Sequence, residues 1–169
     1  TAAESLTPVV MELGGKDAMI VCADADVRQP ATVAVSAAFS NAGQACIATE
    51  RAIVVDAAYD EFLAAVLELV PGLEVGPGPT AHVGAITRPE QVGVIERRLR
   101  DAVAAGARVL TGGIPVPMSD GRCYFAPTVV VDADPGCELV REESFAPVLT
   151  VMRVPDVEAT RKELEAKGV

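Results

Sequence analysis

Apolar positions along this chain fall into short blocks and helical stripes that alternate. Val9–Leu13 and Ala18–Cys22 are compact apolar runs separated by Gly14-Gly15, and they predict two short buried strands. The segment D-A-D-V-R-Q-P, Asp24–Pro30, then opens a helix, with Pro30 in an early turn where a missing N–H is tolerated. That helix runs through Ala31–Phe39 and must stop near Asn41-Ala42-Gly43. Ala52–Val55 reads as a β-branched strand, and Asp56 as the N-cap of the next helix. Tyr59, Phe62, Leu63, Val66 and Val70 recur there at helical spacing, until Pro71-Gly72 ends the element.

The second half repeats the alternation. A turn-rich stretch, V-G-P-G-P-T, leads to Thr87-Arg88-Pro89-Glu90, which has the form of a capping box. The helix it predicts carries Val92, Ile95, Leu99, Ala102 and Val103 on one face. Glu96, Arg97, Arg98, Arg100 and Asp101 form the other, most simply a solvated face. Gly106 is placed to end it. Arg108–Leu110, Phe125–Val131 and Ala146–Val154 are further strands, with a long irregular loop from Gly112-Gly113. Asp156–Lys167 is a final amphipathic helix followed by Gly168. This order predicts an α/β fold, a mostly parallel sheet with helices on both faces. Residues 1–154 form one domain, and 155–169 are a helical tail of separate character.

Composition narrows the function. Half of the 169 residues are hydrophobic but only 4% are aromatic, so the core is built from Ala, Val, Leu and Ile. The net charge of −10 disfavours a nucleic-acid partner. Lys16, Lys162 and Lys167 are the only lysines, too few for docking on an anionic membrane. No apolar run reaches the roughly 18 residues of a membrane span. The first residues lack the pattern of a signal peptide, which points to the cytoplasm. The start, without Met, reads as the interior of a longer gene product. The four cysteines have no C-x-x-C pairing and His82 is the lone histidine, which disfavours a metal site. Each cysteine, taken singly, is most simply a small buried apolar residue.

Three segments carry candidate chemistry. E-L-G-G-K, Glu12–Lys16, places a carboxylate at the end of an apolar strand, where apolar surroundings suit a general base. An exposed acid at a strand end fits the motif equally well. F-S-N-A-G-Q-A-C, Phe39–Cys46, presents Cys46 from a loop after a helix end, where a thiol is accessible. A thiol near a carboxylate, without histidine, suits attack on an aldehyde followed by activation of water. E-E-S-F-A-P, Glu142–Pro147, sets two acids before an aromatic ring. The acids can receive sugar hydroxyls and the ring can pack on a flat heterocycle, although a plain turn with a core Phe reads the same way.

In this order and at these spacings the three motifs resemble the aldehyde dehydrogenase superfamily. G-A-R-V-L-T-G-G at Gly106–Gly113, Y-F-A-P-T-V at Tyr124–Val129 and V-G-A-I at Val83–Ile86 agree with it, so the resemblance spans about Leu6 to Val154. It implies an aldehyde dehydrogenase-like catalytic domain that oxidises a small aldehyde to an acid with NAD or NADP. Cys46 is then the nucleophile, passing through a thiohemiacetal and a thioester, and its backbone N–H an oxyanion donor. Glu12 is the base that activates water. Glu143, Phe145 and Leu13 contact the cofactor, with Glu143 on the nicotinamide ribose, while Lys16 is a structural ion-pair partner. Full-length members of such a family are expected to be homo-oligomers.

The chain departs from the family pattern in four places. Ala146 replaces the usual Gly, Leu73–Thr87 is short, Pro30 lies within the helix leading to Cys46, and the tail after Val154 looks more like a glyoxalase-like strand–turn–helix. No G-x-G-x-x-G opens a helix here, so the main cofactor-binding site is expected outside this chain. Two other readings stand beside the leading one: a catalytically inactive fragment, and a thiol esterase built on Cys46 and Glu12.

Overall fold

The computed structural model describes residues 1–166, so Lys167 and Gly168, placed by sequence at the end of the last helix, lie outside the described residues. Seven strands and five α-helices follow in chain order: β1 Asp17–Val21, α1 Arg28–Phe39, β2 Thr49–Val55, α2 Asp56–Leu69, α3 Pro89–Ala104, β3 Arg108–Thr111, β4 Pro115–Val116, β5 Tyr124–Phe125, β6 Thr128–Val131, α4 Glu138–Arg141, β7 Val148–Val154 and α5 Val157–Ala166. Five strands form one sheet in the order β1-β2-β7-β6-β3. β1, β2, β7 and β6 run parallel, and β3 closes the edge antiparallel to β6. β4 and β5 make a separate small ribbon. The α/β class with a mostly parallel sheet is as expected.

Burial explains why this sheet needs little alternation. All four residues of β6 are buried, and so are Val148–Met152 of β7. Successive strand residues point to opposite faces, so consecutive burial means that both faces are covered. α1 and α2 pack on each other and against β2 and β7. Phe39, Phe62, Val66 and Val70 supply much of that contact and are 3% exposed or less. Burying a side chain such as Phe62 contributes ~1.5–3 kcal/mol. Among the described residues no helix is long and apolar enough to cross a membrane.

Several expected details are corrected. Val9–Leu13 is not a strand: among the described residues it pairs with no other segment, and Val10 and Leu13 are 91% and 85% exposed. A buried strand needs a ladder partner and a covering layer, and the described residues supply neither beside it. Cys22, read as a small buried residue, is exposed. Asp56 is the first helical residue of α2 rather than its cap, and its carboxylate accepts from Arg153 at 2.7 Å. The box at Thr87–Glu90 does not form: Arg88 holds the cap position, Pro89 begins the helix, and the Thr87 amide donates to Gln44 at 2.8 Å. Val103, expected on the buried face of α3, is 47% exposed. The strand read as Phe125–Val131 breaks at Ala126-Pro127, because proline has no N–H for the ladder.

The charged face of α3 is not simply solvated. Arg97 donates to both oxygens of Glu138 at 2.5 and 2.9 Å, and Arg98 adds a bond from Nε at 2.9 Å. This fork ties α3 to α4. Hydrogen bonds from Arg97, then Arg98, pull the Glu138 carboxyl from its ordinary 4.5 down to about 2. A folded-state pKa below the unfolded one stabilises the fold above about pH 4.5, and that contribution is lost as pH falls toward 2. Glu138→Gln should therefore melt lower than wild type at pH 7, and the gap should close as pH falls through that window. Thermal unfolding at stepped pH checks this; a gap that stays constant from pH 7 to pH 2 contradicts it.

Candidate active site

Three loops meet at the amino ends of the parallel strands. Residues 12–16 lead into β1, 41–48 into β2 and 142–147 into β7. Sequence placed Glu12 after a strand; in the structure it precedes one, and the cleft lies at the entry side of the sheet. The N-terminus of α3 supplies the remaining wall through Thr87, Arg88 and Gln91.

The loop bearing Cys46 is shaped by an abrupt reversal. After α1, Asn41, Ala42 and Gly43 all take left-handed conformations, with φ of 50°, 56° and 69°. That is strained backbone for Ala42, and it persists because side chains fasten it. Asn41 Nδ2 donates to Gln44 O at 2.9 Å, and Gln44 Nε2 donates to Asn41 O and Ala85 O, each at 3.0 Å. Gln44 thus bolts the reversal to the segment before α3. Beyond it Cys46 is exposed.

The loop bearing Glu143 and Phe145 is held through several of its backbone groups. Arg98 donates to Glu143 O at 2.5 Å, and Gln91 Nε2 donates to Ser144 O at 2.6 Å. The Ser144 amide donates to both carboxylate oxygens of Glu50 at 2.9 Å, and the Phe145 amide to Oε1 at 3.0 Å. Phe145 is itself left-handed, φ 48°. Glu50 is 4% exposed and pairs with Lys16, whose ammonium also reaches Leu139 O at 2.7 Å and Ser144 Oγ at 3.3 Å. Burial pulls Lys16 below the ordinary lysine range, and Glu50 opposes that pull. Arg51 on β2 donates to Lys16 O at 2.6 Å, so the first loop is tied to β2 as well.

Glycines let the loops touch. A Cβ on Gly14 would lie 2.3 Å from Glu143 Oε2, one on Gly15 2.3 Å from Cys46 O, and one on Gly43 2.0 Å from Ala146 O. The Gly15 amide donates to Glu143 Oε1 at 3.0 Å.

The result is one cleft of about 670 Å³ that Glu12, Leu13, Cys46, Glu143 and Phe145 all line. Of the two acids in E-E-S-F-A-P only Glu143 lines the cleft, and Glu142 does not. Glu12, expected in apolar surroundings, is exposed there. Sequence reasoning missed Glu50, Gln91 and the inward role of Arg98. Glu50 lies between Thr49 and Arg51, ahead of the apolar run that marks β2, so the pattern of apolar positions carried no signal for it.

The family sequence pattern described as the aldehyde dehydrogenase family matches residues 1–164. This chain belongs to the aldehyde dehydrogenase family. It is 39% identical over 155 residues to 4,4'-diapolycopene aldehyde oxidase of Methylomonas sp, covering 92% of this chain and 28% of that protein. With the succinate-semialdehyde dehydrogenase [NADP(+)] of Mycobacterium avium it shares 38% over 160 residues, covering 93% and 33%. Mycobacterium tuberculosis aldehyde dehydrogenase complexed with NAD+ superposes with a TM-score of 0.86 at 34% identity, covering 96% of this chain and 34% of that one. The chain thus spans about a third of the length of the relatives it matches. The matched stretch runs past Val154 into the tail.

Loop contact through glycine makes a prediction for the family's E-L-G-G-K turn. Gly15→Ala should destabilise the chain by about 1–3 kcal/mol, because the methyl meets a backbone oxygen that cannot swing away. Gly93→Ala, in α3 with nothing within 4 Å of the new methyl, should be neutral or stabilising by up to about 1 kcal/mol. Urea unfolding of both variants decides; equal effects would show that the turn and Cys46 are not in contact.

Proposed function

We propose that this chain supplies the reacting side of an aldehyde-oxidising site, with Cys46 as nucleophile and Glu12 as the base for hydrolysis. The observation that carries this is the convergence of Glu12, Cys46, Glu143 and Phe145, from three separate loops, on one cleft of an aldehyde dehydrogenase family member.

The residues fit a nicotinamide cofactor at its reacting end. Glu143 engages the Gly15 amide through Oε1, and among the described residues no hydrogen bond reaches Oε2, which is available to a ribose hydroxyl. Phe145, 37% exposed, lines the cleft and offers an apolar ring to a flat heterocycle, and Leu13 lines the same cleft. A nicotinamide cofactor held by Glu143, Phe145 and Leu13 would supply a hydride acceptor to the site. NAD and NADP both satisfy this half of the site, since Glu143 and Phe145 meet the part they share.

The chain's own residues perform the remaining work. The Cys46 thiolate attacks the aldehyde carbon and forms a thiohemiacetal, whose oxyanion accepts the Cys46 backbone N–H. After oxidation the acyl group remains on Cys46 as a thioester. Glu12 takes a proton from water as the water attacks that carbonyl, the carboxylic acid leaves, the Cys46 thiolate is restored and Glu12 releases its proton to solvent. Cys22 is also exposed but lies outside the cleft, so location rather than access distinguishes Cys46.

Two measurements test this reading on the purified chain. Limiting iodoacetamide should alkylate Cys46, and a millimolar aldehyde should slow that reaction while leaving Cys22 unaffected; equal behaviour of the two thiols defeats the assignment. The 169 residues alone should show no steady reduction of NAD or NADP with an aldehyde panel. Glu143 and Phe145 reach only the nicotinamide end, and hydride transfer requires the reacting atoms within about 3–3.5 Å. Steady turnover that Cys46→Ala abolishes would overturn this second expectation.

A further inference from the structure

Glu50 is out of place by ordinary rules. It is a carboxylate at 4% exposure near the start of β2, between Thr49 and Arg51, and buried charges are costly unless paired and hydrogen-bonded. Its partners explain its presence. One oxygen accepts from the Ser144 and Phe145 amides, and the other from the Ser144 amide and the Lys16 ammonium. Two successive amides that converge on one anion form a backbone nest, an arrangement that binds anions. Here the anion belongs to the chain itself.

The loop captured in this way bears Glu143 and Phe145. Phe145 takes a left-handed φ of 48°, which a bulky aromatic residue adopts only when its surroundings enforce it. The bond from its own amide to Glu50 is the nearest enforcing contact. Lys16 closes the device, because it joins Glu50 to Ser144 Oγ and to the E-L-G-G-K turn whose Gly15 amide holds Glu143.

We infer that Glu50 is a positioning residue, a buried internal anion that sets the backbone of Ser144 and Phe145 and thereby aims Glu143 and Phe145 into the cleft. The inference deepens the cofactor reading above and rests on it for its consequence, though not for the loop conformation itself. Glu50 touches no substrate and does its work through the loop.

The experiment compares wild type, Glu50→Gln, Glu50→Ala and Glu143→Ala, using the whole 169-residue chain. Amide hydrogen exchange reads the loop, with the β7 amides as internal reference. Ser144 and Phe145 should lose about tenfold to a hundredfold of their protection relative to β7 in Glu50→Ala, the effect of removing charge-assisted hydrogen bonds. Glu50→Gln keeps one acceptor oxygen and the shape, so it should recover part of the loss. Saturation-transfer NMR with millimolar nicotinamide mononucleotide reads the consequence: weaker binding by about tenfold in Glu50→Ala, with Glu143→Ala at least as weak. Cys46 alkylation should stay within about twofold of wild type, since the thiol sits on a different loop. If Glu50→Ala does not fold, Glu50→Gln carries the exchange measurement. Unchanged protection at Ser144 and Phe145 in a folded variant overturns the inference, as does uniform loss across β7. Should wild type and Glu143→Ala both ignore the mononucleotide while the exchange result holds, the cofactor reading fails and the positioning role stands.

Discussion

Lys16 and Glu50 hold opposite charges out of water at the point where three loops cross. A buried ammonium or carboxylate alone would cost several kcal/mol, and the pair recovers that only with good geometry and further hydrogen bonds. Both conditions are met: Glu50 serves two backbone amides, and Lys16 serves a carbonyl and a hydroxyl. Lys16 comes from the loop before β1, Glu50 from β2, and the groups they hold from the stretch before β7. The pair therefore does for the site what the apolar core does for the sheet. It fixes separate segments relative to one another where the backbone is irregular and cannot satisfy itself.

The surrounding strain makes sense in that light. Ala42 and Phe145 occupy conformations that cost about 1–3 kcal/mol each, and both lie in loops that face the cleft. Each is fastened by side chains from other segments, Ala42 through the Gln44 bridge and Phe145 through Glu50. Glycines at 14, 15 and 43 permit an approach that any side chain would block. Preorganisation of this kind lets a thiol, a carboxylate and an aromatic ring from distant positions share one space.

Much of this was legible in the sequence because periodicity and turn residues report local physics. The alternation of short apolar runs with helical stripes gave the α/β class, and Asn41-Ala42-Gly43 marked the end of α1 correctly. Glu12, Cys46, Glu143 and Phe145 were recognisable by motif, and they do share a cleft. What periodicity could not report is what covers an apolar run. Val9–Leu13 has strand composition but no partner among the described residues, so it is exposed. Cap assignments at Asp56 and Thr87 failed for a related reason, since tertiary partners, Arg153 and Gln44, claim the groups that local rules had assigned. Glu50 and Arg98 were missed because their partners lie 94 and 45 residues away. Only the folded topology brings them together.

The Lys16–Glu50 pair is a single buried unit on which the meeting of the loops depends. A double-mutant cycle with Lys16→Met and Glu50→Leu, read by urea unfolding, tests it most directly. Removing either partner leaves the other charge buried and should cost about 3–5 kcal/mol. Removing both should cost well below the sum, with a coupling of about 1–3 kcal/mol. Additive losses within about 0.5 kcal/mol would mean that the two charges act independently and that something else holds the loops together.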